Sequence, residues 1–457
     1  MAQKPNLPRR LAWEVLTDVD TKDAYANLLL PAKIARTHLN PQDAAFATEL
    51  TYGTLRGQEF YDAVIAHAAG RPVTQIDPEP LAAMRMGAHQ ILAMRVPDHA
   101  ALSETVGVVK YAAPKTAGFV NAVLRRVSEA DRQTWLDRVG QGRSETARQA
   151  IASSHPEWIV RALTQALKGH GRDAGELDAL LTADNTPAQV AVTALPGLLD
   201  RSALPGTPTP LSPLGVHLET AVPKDIPAVA DGRARVQDEG SALVALALAE
   251  AAAPDGTWAD LCAGPGGKAA VLAARARTEG ESLDAFDSSP HRASLVETST
   301  QALDNVTVGV ADARDAEGPY AKILVDVPCT GLGALRRRPE ARYRRSPDDV
   351  NALAALQREI LASALDAAAP GGVVAYSTCS PHYAETVLVV DDVLRRRRKE
   401  TGDDVEILDT PAVLAAVTGA EADSFASVSR GDGRYAQLWP HVHDTDGMFL
   451  ALLKKAN

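Results

Sequence analysis

The segment I-L-V-D-V-P-C-T-G-L-G, residues Ile323–Gly333, carries the clearest signal of the fold. It begins as a run of aliphatic residues typical of a strand that is buried on both faces, as in a parallel sheet. The run ends in Asp326, and a proline and the thiol of Cys329 follow before a glycine-rich turn. In open α/β sheets, ligands bind beyond the carboxyl ends of the strands. The segment therefore predicts a parallel sheet with an acid and a thiol at its ligand-binding edge.

All three cysteines of the chain follow predicted strands. Cys379 ends the strand-like stretch G-V-V-A-Y-S-T-C, and Cys262 stands at the start of a glycine loop. Three cysteines without a C-x-x-C pair form neither a disulfide framework nor a zinc site, so no metal is predicted. A reducing, cytoplasmic compartment fits this usage. We interpret Cys329 and Cys379 as groups with a chemical role and Cys262 as a buried apolar residue that contacts a ligand through its backbone.

The composition is that of a soluble protein with several domains. The 457 residues suffice for two to four domains, and 46% of them are hydrophobic while 23% are charged. The longest apolar run, residues 242–253, is too short to cross a bilayer, so no membrane role is expected. The net charge of −11 argues against a generally basic nucleic-acid binder but allows local basic clusters.

The residue pattern predicts a multidomain chain in three parts. Residues 1–138 show helical spacing of apolar residues throughout, which predicts an all-α domain. A polar linker over residues 140–150 leads to a small α+β domain, residues 151–232. Residues 233–457 alternate between strand-like and helix-like stretches, which predicts a Rossmann-like α/β domain with a mostly parallel, seven-stranded sheet.

The predicted strands fall into two groups. In the small domain, short strands are expected at Val190–Thr193 and Val216–Leu218. In the α/β domain the predicted strands are Thr257–Leu261, Leu283–Asp287, Val306–Val310, Ala321–Val327, Gly372–Ser377, Arg434–Trp439 and Met448–Leu453.

The glycine loop W-A-D-L-C-A-G-P-G-G-K-A-A, residues 258–270, joins a strand to a helix and admits two interpretations. Glycine lets the backbone approach a ligand, and the helix N-terminus favours negative charge. An NAD-dependent oxidoreductase would use this loop with Asp287 as the ribose-binding acid. An S-adenosylmethionine (SAM) enzyme would use the same groups and, in addition, Asp312 after the third strand at the adenine edge. The second interpretation is preferred because it also gives Cys329 and Cys379 a role.

Two arginine-rich segments are candidates for contact with nucleic acid. The run Arg395–Lys399 is interpreted as a solvated helix end, where cations suit the helix dipole. The other segment follows Cys329 directly and interleaves an aromatic that could stack on a base. Its candidate residues are Arg336, Arg337, Arg338, Arg342, Tyr343, Arg344 and Arg345.

Several motifs resemble known families. The segments A-A-F-A-T-E-L-T-Y-G-T-L-R and F-V-N-A-V-L-R-R resemble NusB-type helical RNA-binding domains, which implies RNA contacts that include Arg125 and Arg126. The motifs D-L-C-A-G-P-G-G-K, A-F-D-S-S-P-H-R, A-D-A-R-D, D-V-P-C and S-T-C-S together resemble the RNA cytosine-C5 methyltransferases, most closely the bacterial RsmB/Sun group that acts on 16S rRNA.

The resemblance implies SAM as cofactor and a cytosine of 16S rRNA, naked or in a partial particle, as substrate; no obligate protein partner is expected. It also implies that Cys379 attacks carbon 6 of the base, that Asp326 holds the N3 and amino edge, and that Cys329 assists breakdown of the adduct. The cofactor-binding residues that it implies are Cys262, Ala263, Gly264, Pro265, Gly266, Gly267, Lys268, Asp287, Arg292, Asp312 and Asp326.

Two alternatives stay open. DNA cytosine methyltransferases attack with a Pro-Cys thiol, so the reversed assignment makes Cys329 the nucleophile. In another class of function, the protein is an RNA-binding assembly factor with a vestigial site.

Overall fold

The computed structural model describes residues 6–22, 24–219, 222–428 and 433–456. These residues form two compact units. The helical unit runs to Arg161 and includes Leu335–Arg344, and the α/β unit comprises Ala162–Ala334 and the chain from Arg345 onward.

The helices are α1 (Leu7–Lys22), α2 (Ala26–Thr37), α3 (Pro41–Arg56), α4 (Gln58–Ala69), α5 (Pro78–Leu92), α6 (Asp98–Ala112), α7 (Ala117–Val127), α8 (Arg132–Gly140), α9 (Glu145–Ser153), α10 (Glu157–Gly169), α11 (Leu177–Asn185), α12 (Pro227–Ala230), α13 (Glu239–Glu250), α14 (Gly267–Glu279), α15 (Pro290–Thr300), α16 (Pro347–Ala367), α17 (Val387–Glu400), α18 (Thr410–Thr418) and α19 (Pro440–His443). The strands are β1 (Ala191–Ala194), β2 (Thr207–Pro208), β3 (Gly215–His217), β4 (Ala234–Val236), β5 (Trp258–Asp260), β6 (Leu283–Asp287), β7 (Val306–Val310), β8 (Tyr320–Asp326), β9 (Ala368–Thr378), β10 (Val405–Ile407), β11 (Ala426–Ser427), β12 (Tyr435–Gln437) and β13 (Phe449–Lys455).

The helical unit confirms the all-α prediction for the N-terminal part. Its helices pack around α5, whose residues from Pro80 to Gln90 are all buried. Arg85 of α5 donates hydrogen bonds to Asp62 and to Asp20, so a buried guanidinium is paired with two carboxylates. Such pairing satisfies a charge that would otherwise be costly to bury.

The predicted linker over residues 140–150 is wrong, because helix α9 begins inside it. The Ser144 hydroxyl accepts a hydrogen bond from the Ala147 backbone at 3.2 Å and so caps the helix. Ile151 on the same helix is buried in the core of the helical unit. The first unit therefore continues past the predicted boundary.

The α/β unit is built on a mixed sheet with the strand order β11-β12-β13-β9-β8-β5-β6-β7, and β10 pairs with β13. Strands β5 to β9 are parallel, whereas β10 to β13 join antiparallel. The Rossmann-like class is confirmed, but the described residues contribute nine strands to this sheet rather than the predicted seven. The two additional strands, β10 and β11, have three and two residues and carry too short a pattern to detect.

The apolar run that predicted the central strand lies at the centre of this sheet. Ile323, Leu324 and Val325 of β8 are fully buried, because β8 has β5 on one side and β9 on the other. The carboxyl ends of β5, β6, β7, β8 and β9 therefore meet at one edge, as the sequence predicted for the ligand site.

A smaller antiparallel sheet with the order β2-β3-β1-β4 belongs to the same unit. Two of its strands lie within one residue of the predicted positions. The predicted separate domain over residues 151–232 is divided differently, since its first part belongs to the helical unit. Among the described helices, none combines the length and the apolar character needed to cross a membrane.

Candidate active site

Two thiols meet where β8 and β9 end. The parallel pairing of these strands continues to Asp326 opposite Ser377, and the Val327 backbone then donates to the Ser377 carbonyl at 3.0 Å. Beyond this point the two segments lead to Cys329 and Cys379, whose Sγ atoms are 3.4 Å apart. Both cysteines are half-buried residues. Two thiols in contact at the ligand edge of a sheet form a candidate reaction centre.

The carboxylate of Asp326 lies at the end of β8 and has two partners. Its Oδ2 accepts a hydrogen bond from Lys268 Nζ at 2.8 Å, and its Oδ1 accepts one from Ser377 Oγ at 2.9 Å. Burial lowers the pKa of Lys268, but the ion pair with Asp326 more than offsets this, so the net pKa is raised. Lys268 is therefore a fixed cation that orients Asp326.

The thiol of Cys329 is held in its protonated form. Its contact with Cys379 and its burial raise its pKa well above the ordinary value, and the charges of Glu385 and Asp326 act in the same direction. A thiol with a raised pKa is a poor nucleophile but can hold a proton near the reacting atoms. Cys262, a half-buried residue, is also protonated, because the burial of its thiol and the charge of Asp260 raise its pKa.

The glycine loop packs too tightly for side chains at two positions. A Cβ at Gly264 would lie 2.6 Å from Asp287 Oδ2, and one at Gly266 would lie 2.4 Å from Ser299 Cβ. Gly266 also has a φ of +101°, a conformation that favours glycine. Helix α14 starts at Gly267, and Lys268 follows in its first turn. The loop residues Cys262, Ala263 and Pro265 complete the bend between β5 and α14.

Asp287 at the end of β6 is tied to the glycine loop. Its Oδ2 accepts a hydrogen bond from the Gly264 backbone at 3.1 Å and lies 3.3 Å from Arg292 Nε. Its Oδ1 accepts from the Ser289 backbone at 2.9 Å. Arg292 in turn donates to the Gly264 carbonyl. The predicted acid, arginine and glycine thus form one connected cluster.

Asp312 follows the next strand, β7, and lies at the same edge of the sheet. It is paired with Arg314, whose hydrogen bonds lower the pKa of Asp312 to about 2. The side chain keeps 36% of its surface exposed. Its assigned role at an adenine edge stays a prediction, and a ligand there would compete with Arg314.

Three polar residues of the site had no assigned role from sequence. Asp260 at the end of β5 is buried, and burial with the neighbouring charge of Asp326 raises its pKa to about 7. Ser377 and Glu385 bond to Asp326 and to the cysteine loops respectively. Asp260 is part of the motif D-L-C-A-G-P-G-G-K, so its position near the end of a predicted strand was the available signal, and Ser377 lies in the motif S-T-C-S.

The arginine segment after Cys329 is partly internal, which corrects two predicted RNA contacts. Arg342 is fully buried and donates to the backbone carbonyls of Arg56 and Ser154 in the helical unit. Arg336 is also buried, with 6% of its surface exposed. Arg342 therefore holds the segment in its unit, and burial keeps both side chains from a solvent-borne ligand.

The other basic residues of this segment remain at or near the surface. Arg338 and Arg345 are exposed, and Arg337 and Arg344 are half-buried. Arg344 lies over the ring of Tyr25 at 4.2 Å, whereas Tyr343, the aromatic that was predicted to stack on a base, has its hydroxyl enclosed.

At the end of α7, Arg125 and Arg126 are exposed, and Arg126 also donates to the Ala68 carbonyl at 2.7 Å. In the described ranges no group of histidine, cysteine and acidic side chains is arranged to hold a metal ion.

Comparison with known proteins gives a consistent result. The family described as 16S rRNA methyltransferase RsmB/F matches residues 245–454, and the NusB family matches residues 6–129. The chain is 45% identical to the Mycobacterium tuberculosis protein named "Putative methyltransferase MT1451", over 98% of this chain and 96% of that protein. It is 31% identical to the ribosomal RNA small subunit methyltransferase B of Xanthomonas campestris over 92% of this chain and 90% of the relative.

Solved structures share the fold. The crystal structure of PH0851 superposes with a TM-score of 0.78 at 21% identity and covers 99% of this chain and 100% of its own. The structure of NSun6 from Pyrococcus horikoshii with SFG gives a TM-score of 0.52 at 19% identity over 65% of this chain and 98% of its own.

Proposed function

The chain belongs to the RsmB family of ribosomal RNA small subunit methyltransferases, and we propose that it methylates carbon 5 of a cytosine in 16S rRNA with SAM as methyl donor. The observation that carries the proposal is the pair of thiols 3.4 Å apart beside the Asp326 carboxylate. Carbon 5 of cytosine is a weak nucleophile, and addition of a thiolate to the neighbouring carbon 6 makes it reactive.

Cys379 is the proposed nucleophile. Its sulfur forms a bond to carbon 6 of the base, and the electron pair of the C5–C6 double bond moves onto carbon 5. This assignment follows the family pattern, in which the cysteine of the T-C-S motif attacks the base. The reversed assignment, with Cys329 as the nucleophile, is distinguished by which cysteine variant accumulates the covalent adduct.

Asp326 is proposed to hold the N3 and amino edge of the cytosine. The carboxylate is oriented by Lys268 on one oxygen and by Ser377 on the other, so its position is set before the base arrives. A preorganised group lowers the barrier because it needs no rearrangement as charge develops. Lys268 balances the negative charge of this buried site.

Cys329 is proposed to assist release of the product. After methylation, carbon 5 gives its proton to a base such as water, and the C–H electron pair re-forms the C5–C6 double bond. The Cys379–C6 bond breaks in the same step and leaves its electron pair on the Cys379 sulfur as a thiolate. The thiol of Cys329, 3.4 Å from Cys379, is in position to exchange a proton with the departing thiolate. A Cys329→Ala protein should therefore retain the base covalently.

The glycine loop and its neighbours fit the methyl donor. SAM supplies an electrophilic methyl group when it is bound. The backbone of residues 262–267 would approach the ligand where a Cβ at Gly264 has no room, and Asp287 would accept hydrogen bonds from a ribose. Asp312 would bind the adenine edge and would then lose part of its hydrogen bonding with Arg314.

The exposed arginines Arg338 and Arg345 are the proposed phosphate contacts nearest in sequence to Cys329. Arg125, on α7, is a proposed contact of the helical unit. Such contacts should give binding that weakens steeply with salt.

The test is nucleoside analysis of 16S rRNA after incubation with the protein and SAM. We expect 5-methylcytidine with the wild-type protein and none with Cys379→Ala. If the wild-type protein binds rRNA and SAM but leaves every cytosine unmodified, both as naked rRNA and in small-subunit particles, the methyltransferase proposal is wrong and an assembly role is favoured.

A further inference from the structure

A buried carboxylate forms hydrogen bonds with both cysteine segments. Glu385 is fully buried in the turn that precedes α17. Its Oε1 accepts a hydrogen bond from the Thr330 backbone at 2.8 Å, and its Oε2 accepts from the hydroxyls of Thr330 and Ser380 at 2.5 Å and 2.8 Å. Thr330 follows Cys329 and Ser380 follows Cys379 in the chain, so Glu385 binds the residue next to each thiol.

Glu385 connects the two cysteine segments beyond the point where the β8–β9 strand pairing ends. The pairing of β8 with β9 ends at Asp326 and Ser377, and the last backbone bond between the strands comes from Val327. Beyond it, the Gly333 backbone donates to the Cys379 carbonyl at 2.9 Å, and the Thr330 and Ser380 hydroxyls lie 3.1 Å apart. Glu385 accepts hydrogen bonds from both hydroxyls and so links the two segments next to the thiols.

The position of Glu385 is itself fixed. Tyr376 of β9 donates its hydroxyl to the Glu385 carbonyl at 2.6 Å. Gln357 of α16 donates to Glu385 Oε1 at 3.3 Å and to the carbonyl of Pro328, next to Cys329, at 2.8 Å. The carboxylate is therefore a rigid connector between a strand, a helix and both cysteine segments.

We propose that Glu385 is a positioning residue that sets the spacing of the Cys329 and Cys379 thiols. The inference rests on the proposed function for its catalytic meaning, because the Cys329 thiol must exchange a proton with the Cys379 thiolate that leaves carbon 6. A proton passes directly between the two sulfur atoms only when they lie within contact distance. A misplacement of about 1 Å can cost roughly 100-fold in rate.

The spacing can be measured without catalysis. Diamide oxidises two adjacent thiols to a disulfide and takes up the two electrons and two protons, so the rate of Cys329–Cys379 linkage reports how well the thiols are held together. Peptide mass spectrometry of the full-length protein identifies the linkage. We expect Glu385→Ala to slow it at least about tenfold and Glu385→Gln, which keeps one acceptor, to slow it less.

Matched variants separate positioning from general loss of structure. Glu239 is also a buried carboxylate of the α/β unit, and it accepts hydrogen bonds from the Leu211 and Ser212 backbones far from the cysteines in sequence. Glu239→Ala should leave the linkage rate unchanged. Ser380→Ala removes one hydroxyl bond to Glu385 without emptying the site, so it keeps the test valid if Glu385→Ala fails to fold, and it should slow linkage about threefold.

Activity provides the second readout. Single-turnover methylation of 16S rRNA should fall about 100-fold in Glu385→Ala with little change in the affinity for SAM, and Glu385→Gln should recover part of it. A folded Glu385→Ala protein whose linkage rate stays within about twofold of wild type overturns the inference. A wild-type protein that shows the predicted linkage pattern but methylates no cytosine contradicts the proposed function instead.

Discussion

Asp260 should make the stability of the α/β unit depend on pH in a defined direction. Burial and Asp326 raise its pKa from 3.8 to about 7. Between these values the folded protein holds a proton that the unfolded chain has released, so the free energy of unfolding decreases as pH rises through this window. The loss in free energy of unfolding is complete above about pH 7. At about 1.4 kcal/mol per pH unit between the two pKa values, it amounts to about 4 kcal/mol.

The perturbation is Asp260→Asn, which removes the ionisable group but keeps its size. The cost that the variant avoids should be about 1.5 kcal/mol near pH 5 and about 4 kcal/mol near pH 8. The lost or altered hydrogen bond from the Cys262 backbone, 3.3 Å from Asp260 Oδ1, adds an offset that does not vary with pH. The relative stability of the variant should therefore increase by about 2.5 kcal/mol between the two conditions.

The assay is urea unfolding of the full-length chain at both pH values, with hydrogen exchange of the β5 backbone amides as the readout. This strand lies in the α/β unit, so its exchange reports that unit rather than the helical one. Asp255→Asn, an exposed carboxylate shortly before β5, is the control and should show no such change. A stability difference between Asp260→Asn and wild type that is the same at both pH values would refute the reasoning.

Three further predictions concern the same unit. Gly266→Ala should lower the free energy of unfolding by about 3 kcal/mol, because the added Cβ meets Ser299 Cβ at 2.4 Å and φ is +101°. The variant should also show no SAM binding in calorimetry. The control Gly280→Ala, with open space around the added Cβ and a φ of +81°, should lower it by only about 1 kcal/mol. Lys268→Met should destabilise the protein by about 3 kcal/mol in urea unfolding, since it leaves Asp326 without its cation, and an unchanged midpoint would contradict the role of this pair. His170 is buried, and burial lowers its pKa from 6.5 to about 4, so the free energy of unfolding should fall by about 3 kcal/mol as pH decreases through that window. In thermal unfolding, the melting temperature of His170→Gln should therefore depend less on pH between these values. A dependence as steep as that of wild type would exclude His170 as the cause.

The placement of Asp326 and the two thiols at one edge of the sheet could be predicted from sequence because all three follow strand ends. The apolar run before Asp326 identified a buried strand, and strands of one parallel sheet end at the same edge. That rule brings Cys329 and Cys379 near each other although 50 residues separate them. It does not give their spacing, which depends on Glu385, a residue whose bonds to both segments exist only in the folded unit.

The composition of the arginine segment did not predict which of its side chains are exposed and which are buried. A run of arginines is equally compatible with a solvated face and with buried guanidinium groups that satisfy backbone carbonyls. Arg342 takes the second form because the segment Leu335–Arg344 packs in the helical unit, where the Arg56 and Ser154 carbonyls accept its hydrogen bonds. The choice depends on tertiary contacts between residues almost 200 positions apart or more. The strands β10 and β11 were missed for a simpler reason, since two or three residues show no periodicity.

The central claim is that the two adjacent thiols have different tasks on one cytosine. Intact-mass analysis of Cys329→Ala and Cys379→Ala proteins after incubation with SAM and 16S rRNA tests it most directly. We predict that Cys329→Ala accumulates a covalent RNA adduct, whereas Cys379→Ala forms none and leaves the cytosine unmethylated. An adduct that accumulates in Cys379→Ala and is absent from Cys329→Ala would contradict this assignment and identify Cys329 as the nucleophile.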